Sequence, residues 1–212
     1  MTPKVAGGRL AGYWLLLCAE LLSLGWLLTH VLSHPVGGPE NDLSRWVEDH
    51  RTPLLDQVAA VGTLLGDTVL GIVTLIVLGA GFSWWRRSRR PLLLVTVVYV
   101  GLLAAYLTAT HLLPRDRPPV EILDTGLVPD HSFPSGHTMT STAVVGCLLL
   151  LLHTYAPQHL RWARLLVVVP VLTMLSRVYQ GAHHVSDVLA GLVTAVVWLA
   201  VVASVLQRDR SR

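Results

Sequence analysis

The sequence predicts an all-α fold: a polytopic membrane protein with a six-transmembrane-helix bundle and short amphipathic helices in the first outer loop. Three observations carry that prediction. Of 212 residues, 52% are hydrophobic and only 14% are charged, a balance too apolar for an ordinary soluble domain. Six apolar runs are each long enough to cross about 30 Å of hydrocarbon. Three polar stretches interrupt them, and all three fall on one side of the bilayer once the runs are drawn as alternating spans.

The runs cover residues 10–32, 67–85, 91–113, 135–153, 162–180 and 185–206. The first follows Lys4 and Arg9, as a signal peptide would. It is longer than a signal-peptide core and lacks a small-x-small cleavage site, which favours an uncleaved anchor. Glu20, in its middle, reads as a carboxyl hydrogen-bonded inside the bundle or protonated, with a proton relay as the functional alternative. Residues 33–66 form the longest polar connection, where Leu43, Trp46 and Val47, then Leu54, Leu55, Val58 and Val61, recur at helical spacing. Thr52 and Pro53 supply an N-cap and a first-turn proline, so two short helices are expected there rather than one. Pro170 is expected to kink the fifth span. The organisation predicted is a single membrane domain over 1–212, with a core bundle over about 67–206 and an anchor helix plus outer loop over 1–66.

Basic residues set the orientation. Lys4, Arg9, the Arg86, Arg87, Arg89 and Arg90 cluster, Arg161, Arg164, Arg208, Arg210 and Arg212 all fall on the side of the N-terminus, whereas Arg45, Arg51, Arg115, Arg117 and Arg177 fall on the other. The excess of Lys and Arg marks the cytoplasmic face, so both termini are expected in the cytoplasm of a cell-membrane protein and the polar stretches outside it. The net charge of +3, with no basic run interleaved with aromatics, argues against a nucleic-acid partner. Cys18 and Cys147 sit in apolar runs without paired spacing and read as small buried hydrophobes.

The polar stretches span 110–118, 133–138 and 176–187. Arg117 and Arg177 offer planar forks suited to phosphate oxygens, and the Pro134-Ser135-Gly136 turn presents N–H groups at a helix N-terminus. His183 and Asp187 stand four apart, and a helix starting near 183 would place them on one face. Asp187 would then accept from one nitrogen of His183 and leave the other as a nucleophile for phosphorus. His137, beside an anionic phosphate, would protonate the leaving oxygen. A metal held by His183, His137 and Asp187 is the competing reading, and two neighbouring arginines oppose it. His30, His34, His153 and His159 read as interfacial residues. His184, turned about 100° from its neighbour on a helix, reads as supporting or headgroup contact. His111, Asp116, Asp124, Asp130 and His131 are candidates for lining the entrance.

These residues give the chain its resemblance to the type 2 phosphatidic acid phosphatase family, the lipid phosphate phosphatases related to vanadium haloperoxidases. Ser176, Arg177, His183 and Asp187 meet the family's third motif, and Pro134, Ser135, Gly136 and His137 meet its second. Of the first, Arg117 and Pro118 are present, while Thr110 stands where the family has lysine, and the nearby Arg115 is a candidate substitute for that charge. The resemblance implies a phosphohistidine on His183, oriented by Asp187, with His137 as proton donor and then activator of water. It implies phosphate binding by Arg117, Arg177, Ser135 and Gly136, no metal and no cofactor. The substrate class implied is a lipid phosphomonoester or diphosphate in the bilayer, such as polyprenyl diphosphate, phosphatidate or phosphatidylglycerophosphate. Two other functions stand beside hydrolysis: phosphoryl transfer to another lipid or glycan through the same intermediate, and a non-enzymatic lipid-binding or transport protein marked by the altered first motif.

Overall fold

The structure is a computed structural model that describes residues 3–207, and residues 5–206 with their side chains. Arg208, Arg210, Arg212 and the side chain of Lys4, all used above for orientation, lie outside the described part. Among the described residues the chain is helical apart from its connections, and six helical segments are long and apolar enough to cross a membrane. Helix α1 (Pro3–Trp26), α4 (Thr68–Arg86), α5 (Arg90–Leu112), α6 (Gly136–Tyr155) and α9 (Val185–Gln207) are five of them. The sixth is composite: the short α7 (Leu160–Ala163), a 3-10 segment Arg164–Val167 and then α8 (Val168–Tyr179). The tightened turn lies directly before Pro170, which has no N–H for the Leu166 carbonyl and whose ring crowds it. The expected kink is therefore a change of helix type.

Helix α1 likewise departs from regular geometry, ending in a π turn at Leu27–Val31 in which Leu32 N donates to Leu27 O at 2.8 Å. Leu15, Leu16, Val69, Ile76, Val77, Leu165, Leu175 and Val193 all expose more than half of their surface. Apolar side chains on the outside of α1, α4, α8 and α9 are what a lipid-facing belt requires. Glu20 is exposed on that outside, not hydrogen-bonded within the bundle as the sequence suggested.

The core lies where α5, α6 and α9 cross. Val98, Ala143, Cys147, Leu151, Ala195 and Val202 are fully buried there, and Leu17 of α1 and Leu75 of α4 close it. With lipid outside, close approach of backbones has to hold the helices together. Gly101 is one such place: a Cβ there would stand 2.5 Å from Trp198 Nε1. The space lets the Trp198 indole reach across α5 and donate to Val98 O at 3.1 Å, while Trp14 donates to Gly101 O at 2.9 Å.

Between α1 and α4 lie α2 (Gly37–Asp49) and α3 (Pro53–Leu64), the two short helices expected. Thr52 Oγ1 accepts from Leu55 N and Pro53 opens α3. Trp46, Leu54, Val58 and Val61 remain exposed, as suits helices lying in an interface. The C-terminal ends of α5 and α8 and the N-terminal ends of α6 and α9 meet at one end of the bundle. Residues 113–135 fold over that end, pinned by Arg115 N to Asp130 O at 2.8 Å and Ser132 N to Arg115 O at 3.0 Å. The Arg86–Arg90 turn lies at the other end.

Replacing Gly101 by Ala is expected to destabilise the bundle by about 1–3 kcal/mol, because Trp198 must be displaced. A thermal unfolding scan in detergent, with the Gly81→Ala variant as an uncrowded control, checks this: Gly81 has nothing within 4 Å of its would-be Cβ.

Candidate active site

The last turn of α8 carries Arg177, whose side chain has no exposure. Its Nη1 donates to Asp124 at 2.6 Å and to Gln180 at 3.1 Å. Among the described residues its Nε and Nη2, which form one edge of the guanidinium, have no partner. Donors of a buried cation left unpaired cost about 1–3 kcal/mol or more each. Arg177 lines a cavity of about 130 Å³ together with Arg117, Gly136, His137, His183 and Tyr106. Two N–H groups on one planar edge match two oxygens of a phosphoryl group.

His183 is buried just before α9, which starts at Val185, where the last apolar run begins and two residues past the start that a His183–Asp187 pair on one helix face requires. This shift undoes the expected His183–Asp187 hydrogen bond. The two groups stand 3.9 Å apart, and His183 Nδ1 instead bonds the Ser132 carbonyl at 2.7 Å. A carbonyl only accepts, so Nδ1 carries the proton and Nε2 keeps its lone pair. Burial, followed by the charge of Arg177, holds the His183 pKa well below the ordinary imidazole value.

Asp187 is saturated by other groups. It accepts from Arg115 Nη1 at 2.5 Å, Ser132 Oγ at 2.6 Å and His184 N at 2.8 Å, with His184 Nδ1 at 3.3 Å. It thus reaches His183 through Ser132, whose hydroxyl it holds and whose carbonyl orients the ring. Arg115, expected as a substitute for the absent lysine, faces this carboxylate and Glu40 of α2, which it meets at 3.0 Å. It does not line the cavity. Glu40 also accepts from Ser186 N at 2.6 Å, tying the start of α9 to α2. His184 is likewise buried and supporting, with Nε2 at 3.1 Å from Asn41 Oδ1.

The opening turn of α6 supplies the opposite wall. Ser135 is its N-cap: its Oγ accepts from Thr138, and its own N–H donates to Asp187 O at 3.1 Å. Its Oγ serves the cap as an acceptor, its amide is engaged, and Ser135 is not part of the cavity wall. Gly136 and His137 line the cavity instead, and the first N–H groups of a helix have no intrahelical partner. Asp187 comes this close because position 191 is glycine, where a Cβ would stand 2.8 Å from Ser135 O. Arg117 borders the cavity, yet its fork is largely committed to the carbonyls of Val128, His131 and Ala182. It offers charge and its remaining N–H groups rather than a free fork.

His183, His137, Arg117, Arg177 and Gly136 are thus brought together in one cavity, while Asp187 and Ser135 stand behind it. Of the entrance candidates, Asp124 pairs with Arg177 and His131 lends its carbonyl to Arg117. Sequence reasoning missed Ser132, Glu40 and Tyr106. Ser132 lies one residue before the second motif's Phe133-Pro134, and nothing in its own type marks a backbone carbonyl as a partner. Glu40 is recognisable only once α2 folds against α9. Among the described residues no three His, Cys, Asp or Glu side chains are grouped to hold a metal ion.

A family model for the PAP2 superfamily matches residues 91–211. Phosphatidylglycerophosphatase B of Bacillus subtilis is 30% identical over 145 residues, covering 66% of this chain and 70% of that protein. Human sphingosine-1-phosphate phosphatase 2 is 36% identical over 123 residues, 54% of this chain, which spans only 30% of that longer protein. The putative undecaprenyl-diphosphatase YbjG of Escherichia coli is 29% identical over 159 residues, 66% of this chain and 75% of that protein. The crystal structure of a transmembrane PAP2 type phosphatidylglycerolphosphate phosphatase from Bacillus subtilis superposes with a TM-score of 0.73. It covers 95% of this chain and 94% of its own, at 25% identity.

Two outcomes are expected from this geometry. Glu40→Ala leaves Arg115 with one carboxylate and α9 without its cap, which is expected to destabilise the protein by about 3 kcal/mol, read as a lowered unfolding temperature in detergent. The depressed pKa keeps His183 neutral as pH falls through the ordinary imidazole range, about 6.5. Nitrogen-15 NMR of the labelled ring is expected to show the Nδ1–H tautomer persisting at about pH 6, where a solvent-exposed histidine is mostly protonated.

Proposed function

The chain belongs to the PAP2 superfamily, and we propose that it is a membrane lipid phosphatase that hydrolyses a lipid phosphomonoester or diphosphate through a phosphohistidine on His183. The observation that carries the proposal is the pair of donors on buried Arg177 that have no partner among the described residues, on a side chain that lines the cavity His183 and His137 share. A tetrahedral phosphoryl group satisfies that edge and the opening N–H groups of α6 together.

In the reaction proposed, His183 Nε2 attacks phosphorus as the bond to the leaving lipid oxygen breaks, and His137 gives that oxygen its proton. His137 then takes a proton from water, the water oxygen attacks phosphorus, and the N–P bond breaks to release inorganic phosphate. Asp187 acts through Ser132 by keeping the carbonyl that orients His183 in place. Arg177, Arg117 and the Gly136 and His137 amides hold the charge that builds on the equatorial oxygens. Such donors, fixed in a site shielded from water, act where charge develops in the transition state.

The cavity continues along α5 past Leu102, Leu103 and Tyr99, so a lipid whose phosphate is bound keeps an apolar path for the carbons next to it. The relatives' names span phosphatidylglycerophosphate, undecaprenyl diphosphate and sphingosine 1-phosphate, and the substrate proposed is of this lipid phosphate class. The arginine distribution supports an outward-facing site with both termini cytoplasmic.

Purified protein in detergent with EDTA is expected to release phosphate from such lipids. His183→Ala is expected to abolish release, and His137→Ala to accumulate labelled protein when a radiolabelled phosphate ester is supplied. Full activity of His183→Ala overturns the assignment. Label appearing on a second lipid instead of as free phosphate makes the protein a phosphotransferase.

A further inference from the structure

The first motif of this chain lacks its lysine, and Thr110, standing in that place, does not face the site. It is buried and absent from the cavity wall, and its hydroxyl is turned back along α5, 3.1 Å from Tyr106 O and 3.2 Å from Leu107 O. A threonine bonded to the preceding turn of its own helix has no donor left for a ligand. Arg115, the other nearby cation, is engaged by Glu40 and Asp187. The contact that the lysine would supply therefore has to come from elsewhere or not at all.

One turn before Thr110, on the same face of α5, stands Tyr106. It lines the cavity with Arg117, Arg177, Gly136, His137 and His183. Its ring covers the opening residue of α6: a Cβ at Gly136 would stand 3.1 Å from Tyr106 Cε2 and 3.4 Å from Cζ, the carbon that bears the hydroxyl. The phenol end thus lies over the turn whose amides face the ligand, within the fields of both Arg117 and Arg177. Among the described residues the hydroxyl makes no hydrogen bond. A half-buried tyrosine normally finds a partner for its O–H, and everything else converging here is suited to an oxyanion.

We propose that Tyr106 is a phosphate-binding residue whose hydroxyl donates a hydrogen bond to a non-bridging oxygen of the phosphoryl group, a neutral donor serving where the motif lysine is missing. This rests on the phosphatase reading above. It also accounts for glycine at 136, since any larger residue would push the ring off the anion. The exchange of an ammonium for a phenol leaves the substrate's charge balanced chiefly by the two arginines, so binding depends on directed hydrogen bonds more than on net charge.

The test uses the full chain in detergent, a lipid phosphate substrate, and orthovanadate, which adopts the five-coordinate geometry of the transferring phosphoryl group. A hydrogen bond to a charged acceptor contributes enough that Tyr106→Phe is expected to lower kcat/KM about 10- to 100-fold and to weaken orthovanadate inhibition by a similar factor. The unfolding temperature should stay near that of the parent. Thr110→Val, which removes the hydroxyl at the lysine position of the motif, is expected to leave both quantities unchanged. Installing 3-fluorotyrosine at 106, which keeps the hydroxyl, is expected to retain tight orthovanadate binding, and it decides the matter if the phenylalanine variant does not fold. Unchanged kcat/KM and inhibition in Tyr106→Phe, with His183→Ala inactive, overturns the proposal and leaves the phosphatase reading standing. Loss in Thr110→Val without loss in Tyr106→Phe overturns it as well. A parent protein that neither releases phosphate nor binds orthovanadate overturns both.

Discussion

A positive charge without exposure, only two of whose five N–H donors are satisfied among the described residues, is the constraint on which this architecture depends. Taking a guanidinium out of water is costly unless its N–H groups are paired. Arg177 has Asp124 and Gln180 on one arm and lines the cavity. Loop 113–135 must fold over the bundle end to deliver Asp124. Helix α6 must begin where its unpaired amides look across the same space. The contrast with Asp187 is instructive: an equally buried carboxylate, saturated by Arg115, Ser132 and His184, behaves as framework. Of two buried charges ten residues apart, the incompletely paired one is the one with donors left for a ligand.

The framework around that ligand site is drawn from parts that carry no signature of their own. Glu40 on an interfacial helix holds Arg115 and caps α9; Asn41 beside it meets His184. Ser132 links Asp187 to His183 with its hydroxyl on one side and its carbonyl on the other. The site is therefore two shells deep, with the inner one made from helix ends and the outer one from the loop and α2. A helix end is well suited to the inner role, since it offers unpaired main-chain groups and a rigid direction at once.

Six spans, the break at Pro170 and the two amphipathic helices were legible because each rests on a local rule: run length, missing N–H, apolar spacing. The convergence of His137, His183, Arg117 and Arg177 was legible because four such residues flanking apolar runs are hard to reconcile with lipid unless they meet. The supporting contacts were not legible. Whether His183 bonds Asp187 or Ser132 turns on a helix beginning at 185 rather than 183, and helix starts are the least certain feature of a sequence pattern. Ser135, Arg115 and Arg117 have the right chemistry for anion binding, yet a helix cap engages the first, two carboxylates the second and backbone carbonyls much of the third, and only tertiary structure decides such competition. Glu20 was misplaced for a related reason, because one acidic residue in an apolar helix does not say which way it faces.

The 2.7 Å contact between His183 Nδ1 and the Ser132 carbonyl also fixes regiochemistry. With the near nitrogen engaged, the phosphohistidine proposed for this imidazole would form on the far one, giving the tele isomer of the phosphoramidate and not the pros isomer. The carbonyl would then do more than aim a ring: it would select one of two constitutional isomers for the proposed covalent species, a choice made by a single backbone oxygen.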